Sequence, residues 1–204
     1  MNKKIKLLID GMYLSKDTVY KNNSIFYQFK KDYLDYRFSL LTLSARNFKL
    51  ENIQKIIDIY TFKEITDYVF VVGDKNQKEL IIKNYKLYNG KVIINPEPKD
   101  VLYSSIKIGL KAVSRNIDFI ILQFISLIKV NKGTIEFLIE RTKLTEKDMI
   151  IPTFNKRKGH PIIFKSKFIP IFNSLRKEKG LPYLIKNYKD CIEEVEVSDE
   201  NILK

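Results

Sequence analysis

The sequence predicts an α/β fold: a three-layer sandwich in which helices cover both faces of an open, mostly parallel sheet. Short apolar runs alternate along the chain with segments whose apolar residues recur at helical spacing. One run, Phe119–Leu122, is continuously apolar, as expected for a parallel strand covered on both faces. The chain has 204 residues, 45 % of them hydrophobic, which is enough for one sizeable core. We therefore expect a single domain over residues 1–204.

Each predicted element follows from a local pattern. Strands are expected at short apolar runs that end at a turn signal or a charged residue: Ile5–Ile9, Tyr68–Val72, Lys91–Ile94, Phe119–Leu122, Met149–Ile151, Ile162–Phe164 and Ile192–Val197. Helices are expected where apolar residues recur at helical spacing: one or two over Ser24–Asn47, then Leu50–Tyr60, Lys75–Leu87, Ser104–Ser114, Lys132–Arg141, Phe168–Leu175 and Leu181–Tyr188. Right-handed crossovers would join these units into one sheet with its functional cleft at the carboxyl ends of the strands.

The charge of the chain is its most unusual number. There are 37 Lys and Arg against 24 Asp and Glu, which gives a formal net charge of +13. The excess is almost entirely lysine, although arginine is the better residue for bidentate phosphate recognition. Because a nucleic-acid site needs a localised basic stripe, we expect a solvated lysine surface first, a phosphate-bearing small molecule second and nucleic acid last.

Several classes of protein are excluded by simple patterns. No apolar run approaches the roughly 20 residues that a membrane span requires, so no membrane partner is expected. The apolar run Leu7–Ile9 is too short for a signal peptide. One cysteine, Cys191, cannot form an intrachain disulfide or a cysteine-based zinc site, and we expect it to be a small core residue. A reducing, cytoplasmic location is the natural expectation.

The candidate functional residues are those that directly follow predicted strands: Asp10, Gly11, Gly73, Asp74, Asn95, Pro96 and the residues after Leu122. No Walker, dinucleotide-binding, hydrolase-elbow or zincin motif occurs in the sequence. Gly73–Asp74 has two interpretations that stay open: it is either a structural turn or part of the functional site.

The serine pair and the histidine also have two interpretations. Ser104 and Ser105 are either helix caps or phosphate ligands. His160, the one histidine, either hydrogen-bonds its own loop or faces a pocket.

Two longer segments resemble a known family. They are Asn95–Leu110, NPEPKDVLYSSIKIGL, and Met149–Phe164, MIIPTFNKRKGHPIIF. Both resemble the corresponding segments of the molybdenum cofactor cytidylyltransferases, within the MobA-like nucleotidyltransferases. The residues that carry the resemblance are Asn95, Pro96, Ser104, Ser105, Gly109 and Leu110 in the first segment, and Pro152, Gly159, His160 and Pro161 in the second.

The resemblance implies a fold, a reaction and a set of site residues. The fold would be that of the Rossmann-like nucleotide-diphospho-sugar transferases. The reaction would transfer a nucleoside monophosphate from CTP or GTP to the terminal phosphate of molybdopterin. The nucleotide would be bound by Gly11, Lys21, Gly73, Asn95, Ser104 and Ser105, and the second substrate by Gly159, His160 and Pro161. The implied partners are a nucleotide, a molybdopterin-type ligand and a protein of molybdoenzyme maturation.

The chain also departs from the family pattern. The family's first loop reads L-A-A-G-x-S-x-R-M-G before a lysine, and its expected counterpart here, LIDGMYLSKDTVYK, keeps Gly11 but has no arginine. The family's metal-binding Asp-x-Pro is replaced by Phe124-Ile125-Ser126, so Mg²⁺ is expected for the family while its ligands are not retained.

Two further departures lie in the last quarter of the chain. Leu181-Pro182 follow Gly180 where the family has an arginine, and whether the family's carboxyl-terminal end is missing after Lys204 stays open. Because each lost donor costs on the order of 3 kcal/mol, we expect weak or lost activity, or a non-catalytic binding module of molybdoenzyme maturation.

Overall fold

The structure is a computed structural model, and it contains two compact units, Met1–Asp35 and Tyr36–Lys204. The second unit holds most of the chain. The structure describes residues 7–9, 12–14, 36–43, 48–85, 90–96, 101–125, 127–176 and 180–203.

The first unit contributes two short paired strands. Strand β1, Leu7–Ile9, runs antiparallel to β2, Met12–Leu14, with Ile9 opposite Met12. The predicted strand is therefore confirmed over Leu7–Ile9, but its expected place in the large parallel sheet is wrong, because these two strands form a sheet of their own. Asp10 and Gly11 lie outside the described residues, as does Lys21.

The second unit is built on one mixed sheet. Its strands are β3 Phe38–Leu43, β4 Ile65–Val72, β5 Gly90–Ile94, β6 Phe119–Phe124, β7 Met149–Phe154, β8 Arg157–Lys158, β9 Ile162–Lys165 and β10 Ile192–Glu196. Their order in space is β10-β7-β9-β6-β3-β4-β5, and β8 pairs with β7 as a hairpin. Strands β3, β4, β5 and β6 are mutually parallel, whereas β9 runs antiparallel between β6 and β7.

Strand β3 corrects the helix that was expected over Ser24–Asn47. Its six residues are all buried, including Ser39 and Thr42, as in a strand covered on both faces. A short run with apolar residues at positions 38, 40, 41 and 43 satisfies helical and buried-strand spacing alike. Residues 36 and 37 are not helical either, and the other parts of the expected segment, 24–35 and 44–47, lie outside the described residues.

Helices cover both faces of the sheet, which confirms the predicted three-layer architecture. They are α1 Leu50–Ile59, α2 Lys75–Asn84, α3 Val101–Ala112, α4 Lys132–Leu144, α5 Phe168–Ser174 and α6 Leu181–Asn187. One core contains Ile53 of α1 and Leu138 of α4, packed with Leu40. The other contains Ile106 of α3 and Phe172 of α5, packed with Leu41, so successive residues of β3 serve opposite faces.

Several local features complete the second unit. Gly109 lets α3 approach the sheet, since a Cβ there would lie 2.3 Å from Leu41 Cδ1. Cys191 is half-buried and packs against the second core. Strand β10 is an edge strand that carries Glu193, Glu194 and Glu196. No helix among the described ranges is long and apolar enough to cross a membrane.

Candidate functional site

The predicted site residues that the structure describes share one edge of the sheet. Strands β3 to β6 are parallel, so their carboxyl ends lie together, and Gly73 and Asn95 directly follow two of them. Strand β9 is antiparallel to β6, with Ile162 opposite Leu122, which brings the residues before β9 to the same edge. The Gly159-His160-Pro161 turn therefore lies at the carboxyl edge of the sheet, where open α/β sheets usually bind their ligands.

Asn95 connects the end of β5 to the first turns of α3. Its Nδ2 donates hydrogen bonds to Ser104 Oγ at 2.8 Å and to Ser105 Oγ at 2.9 Å, and its backbone N–H donates to Val72 O at 2.8 Å. All three polar side chains are buried. Ser104 does not cap α3, as the sequence suggested, because the helix begins three residues earlier, at Val101. The serines instead bond Asn95, whose predicted contact with a nucleotide stays a prediction.

Gly73 and Asp74 form a capped turn after β4. The Asp74 carboxylate accepts a hydrogen bond from Gln77 N–H at 2.9 Å, and Gly73 N–H donates to Gln77 Oε1 at 2.8 Å. This reciprocal pair satisfies the free N–H groups at the start of α2. The turn has therefore a structural role, and a role for Gly73 in nucleotide binding stays a prediction.

Gly159 fits only because it has no side chain. A Cβ there would lie 2.6 Å from the backbone oxygen of Ile202 and 2.8 Å from the Ile202 Cβ. The adjacent His160 N–H donates to that same oxygen at 2.9 Å. The short 3₁₀ helix Glu200–Leu203 thus packs directly on the turn. This contact helps to hold the backbone of His160 in position.

Replacing Gly159 by alanine is expected to lower the free energy of unfolding by about 2 kcal/mol, because a backbone atom must move to make room for the methyl group. Urea unfolding of Gly159→Ala measures this loss. Gly133→Ala, at a helical glycine whose added Cβ would meet nothing within 4 Å, is the matched control and is expected to be neutral or stabilising. Equal effects of the two substitutions would contradict the packing role of Gly159.

The imidazole of His160 is largely buried against an aromatic ring. It packs edge-on against Phe124 at the end of β6, with ring centroids 4.5 Å apart. Burial lowers the pKa of His160 from its ordinary value to about 4, although hydrogen bonding with the Leu122 backbone works in the opposite direction. The imidazole is therefore neutral at pH 7. Its Nδ1 is buried and has no hydrogen-bond partner among the described residues.

A cavity of about 490 Å³ lies beside His160. Its apolar walls come from β6, β7 and α6, through Phe124, Ile151 and Leu181 among others. Three exposed lysines, Lys158, Lys186 and Lys189, also line it. Few polar groups in an apolar cavity are typical of a small-molecule site, and the lysines add positive charge to it.

The lysines differ in their partners. Lys158 Nζ lies 2.7 Å from Glu194 Oε1, so its charge is balanced within the fold. Lys186 and Lys189 have no carboxylate partner within the described part of the chain, which leaves their charge available to an anion. Sequence reasoning missed both, because nothing in the spacing of Lys186 in α6 and of Lys189 after it distinguishes them from the other surface lysines.

The described residues include no group of three or more His, Cys, Asp or Glu placed to hold a metal ion. Where the family's metal carboxylate is expected, the end of β6 carries Phe124, whose ring contacts His160. No step of the chemistry is therefore assigned to a bound metal.

The phosphate-binding loop is expected after the first strand of the sheet, and the observed strand order makes β3 that strand. In the order β5-β4-β3-β6, strand β3 is the first strand of a doubly wound unit, and its carboxyl end is where the first loop leaves. The sequence after β3 is Ser44-Ala45-Arg46-Asn47, which contains an arginine and no glycine and lies outside the described residues. The expected counterpart of that loop after Ile9 therefore follows the wrong strand, because β1 is not part of the large sheet.

A known protein family matches most of the second unit in sequence. The model of the MobA-like NTP transferase domain matches residues 54–192, which is more than half of the chain. The chain belongs to the MobA-like NTP transferase family. The match begins within α1 and ends at the first residue of β10, so it includes Asn95 and the Gly-His-Pro turn of this MobA-like chain. No curated protein matches the chain in sequence.

Solved structures show the same fold at low sequence identity. Rv0371c from Mycobacterium tuberculosis H37Rv is 14 % identical with a TM-score of 0.65, over 79 % of this MobA-like chain and 88 % of that one. The 4-diphosphocytidyl-2C-methyl-D-erythritol synthase of Anaerococcus prevotii DSM 20548 is 11 % identical with a TM-score of 0.63, over 90 % of this chain and 92 % of that one. A cytidylyltransferase from Leptospira borgpetersenii is 12 % identical with a TM-score of 0.58, over 81 % of this chain and 78 % of that one. These likenesses show the fold.

Proposed function

We propose that this protein is related in function to the molybdenum cofactor cytidylyltransferases, with weak or lost transfer of a nucleoside monophosphate from CTP or GTP to molybdopterin. The family and the fold of a nucleotidyltransferase are the starting point. The observation that carries the proposal is the cavity beside His160, which combines apolar walls, a neutral imidazole and two lysines without carboxylate partners among the described residues.

The chemistry of that cavity suits a molybdopterin-type ligand. A flat heterocycle would bury its faces against Phe124 and Leu181, beside the imidazole of His160 that lines the same cavity. A terminal phosphate would be attracted by Lys186 and Lys189. The neutral state of His160 matters here, because it adds no further positive charge beside the ring.

Weak or lost transfer is supported by two departures from the family pattern. The sequence after β3 contains no glycine, so it lacks the residues that allow backbone N–H groups to surround a triphosphate. Phe124 stands where the family has a metal-binding carboxylate. Each lost stabiliser of the transition state typically lowers the rate about a hundredfold or more, and the losses together would leave little turnover.

The pterin site is tested by titrating molybdopterin into the wild-type protein and into Lys186→Ala/Lys189→Ala. We expect binding by the wild type and at least tenfold weaker binding by the double variant. The matched control is Lys55→Ala/Lys83→Ala, which removes two exposed lysines from α1 and α2 and is expected to leave the affinity unchanged. Absence of binding to the wild type, or equal losses in both double variants, would overturn the assignment of this cavity.

Turnover is measured separately, with Mg²⁺, labelled CTP or GTP, and molybdopterin. We expect slow or undetectable incorporation of label into the pterin product. Turnover comparable to that of an ordinary cytidylyltransferase would overturn the weak-activity part of the proposal and leave the binding site intact.

A second candidate is a non-catalytic nucleotide- or pterin-binding module that assists molybdoenzyme maturation. The burial of Asn95, Ser104 and Ser105 favours it, because their hydrogen bonds to one another hold α3 on the sheet. A protein that binds molybdopterin or a nucleotide without any turnover would support this candidate over the enzyme.

A further inference from the structure

A second cavity, of about 640 Å³, lies at the opposite edge of the sheet. It is bordered by residues at or before the amino ends of the parallel strands: Arg37 before β3, Asp67 early in β4 and Lys91 early in β5. Residues 114–117, which precede β6, complete it. The Gly-His-Pro turn and its cavity lie at the carboxyl ends of the same strands. The length of the strands therefore separates the amino-edge cavity from the cavity beside His160.

The floor of this cavity is a buried polar network centred on Asp67, which is 2 % exposed. Its carboxylate accepts hydrogen bonds from Ser39 Oγ at 2.9 Å, Lys91 Nζ at 3.1 Å and both the backbone N–H and the hydroxyl of Ser114. Lys91 Nζ also donates to Ala112 O at 2.8 Å. The negative charge of Asp67 is thus neutralised within the fold and does not repel an anion.

Two arginines, Arg37 and Arg115, also line this cavity. The guanidinium groups of Arg37 and Arg115 form no ion pair among the described residues. The nearby Asp118 is engaged by a backbone group, since its Oδ2 accepts the Arg37 N–H at 2.9 Å. Only six of the 37 basic residues of the chain are arginine, and two of the six border this one cavity.

We propose that this amino-edge cavity binds a small phosphate-bearing anion, at a site distinct from the carboxyl-edge cavity. Arginine presents a planar fork of donors that matches two oxygens of one phosphoryl group, which the surrounding lysine surface does not offer. Thr66 and Asn116 add a hydroxyl and an amide on the same lining. The residue types exclude a divalent cation, because the one buried carboxylate already has its partners.

The test is isothermal titration of inorganic phosphate, pyrophosphate and AMP into the wild-type protein and into Arg37→Ala/Arg115→Ala. We expect saturable binding by the wild type and at least tenfold weaker binding by the double variant. Tighter binding of AMP than of phosphate would identify a nucleotide as the ligand, and equal affinities would limit recognition to the phosphoryl group; both outcomes support the site.

Arg176→Ala and Lys55→Ala/Lys83→Ala are the controls. They remove exposed basic residues elsewhere in the fold, and neither is expected to change phosphate affinity. Because Lys186 and Lys189 are proposed to attract a phosphate in the cavity beside His160, Lys186→Ala/Lys189→Ala shows which part of the phosphate binding belongs to that cavity. No binding by the wild type would overturn the proposal, as would a loss in Lys186→Ala/Lys189→Ala without a loss in Arg37→Ala/Arg115→Ala. If the alanine double variant does not fold, Arg37→Lys/Arg115→Lys replaces it, and unchanged affinity in that variant would overturn the role of the guanidinium forks.

Discussion

Lowering the pH from 6.5 to 4 is expected to remove up to about 3 kcal/mol of unfolding free energy through His160 alone. Burial lowers the pKa of His160 to about 4 in the folded protein, whereas an unfolded chain has an ordinary histidine pKa of about 6.5. Between these values the unfolded chain takes up a proton that the folded chain does not. This contribution is therefore fully present above pH 6.5 and is lost as the pH falls toward 4.

Urea unfolding at several pH values between 4.5 and 7 measures the effect. His160→Asn removes the titrating group, and because the chain has one histidine, the variant isolates its contribution. We expect the wild type to lose about 2 to 3 kcal/mol more than the variant across this window, because a tenfold difference in proton affinity between the folded and unfolded states corresponds to about 1.4 kcal/mol. If the unfolding free energies of the two proteins changed equally with pH, His160 would be accessible to water in the folded state.

Replacing Asp67 by alanine is expected to cost about 3 kcal/mol of stability. The substitution removes the acceptor of Ser39 Oγ, Lys91 Nζ and both Ser114 donors. It leaves Lys91 without its carboxylate and Ser39 buried without its acceptor. Removing one partner of a buried ion pair usually costs about 3 to 5 kcal/mol, and the lower value fits here because the Lys91 side chain is 39 % exposed.

Thermal and urea unfolding of Asp67→Ala measure this cost. Asp190→Ala, at an exposed aspartate, is the matched control and is expected to change stability by less than about 0.5 kcal/mol. A loss below about 1 kcal/mol for Asp67→Ala would mean that water replaces the carboxylate at Lys91 and Ser114.

The sequence patterns predicted most of the second unit, and the failure at β3 has a physical cause. The apolar run Phe119–Leu122 is uninterrupted and too short for a helix, so its period and its length both indicate a strand. In Phe38–Leu43, Ser39 and Thr42 interrupt the apolar run at a helical interval. Its burial depends on β4 and β6, which are distant in sequence.

The candidate site was predictable only where local sequence determines it. The Gly-His-Pro turn could be found because glycine and proline constrain the backbone and one histidine stands between them. The cavity beside the turn could not be predicted, since Lys186 and Lys189 come to it from α6 and the residues after it, 25 or more positions after Pro161. The amino-edge arginines are 78 positions apart, and only the sheet brings Arg37 and Arg115 to one cavity.

The glutamates of β10 affect how one molecule meets another. An open sheet ends in a row of free backbone groups that can recruit a strand from a neighbouring copy. Along β10 that row carries three glutamates, of which Glu193 pairs with Arg141 and Glu194 pairs with Lys158. Salt-bridged charged side chains along an edge strand disfavour lateral growth of the sheet into aggregates, because a neighbouring strand would have to displace them.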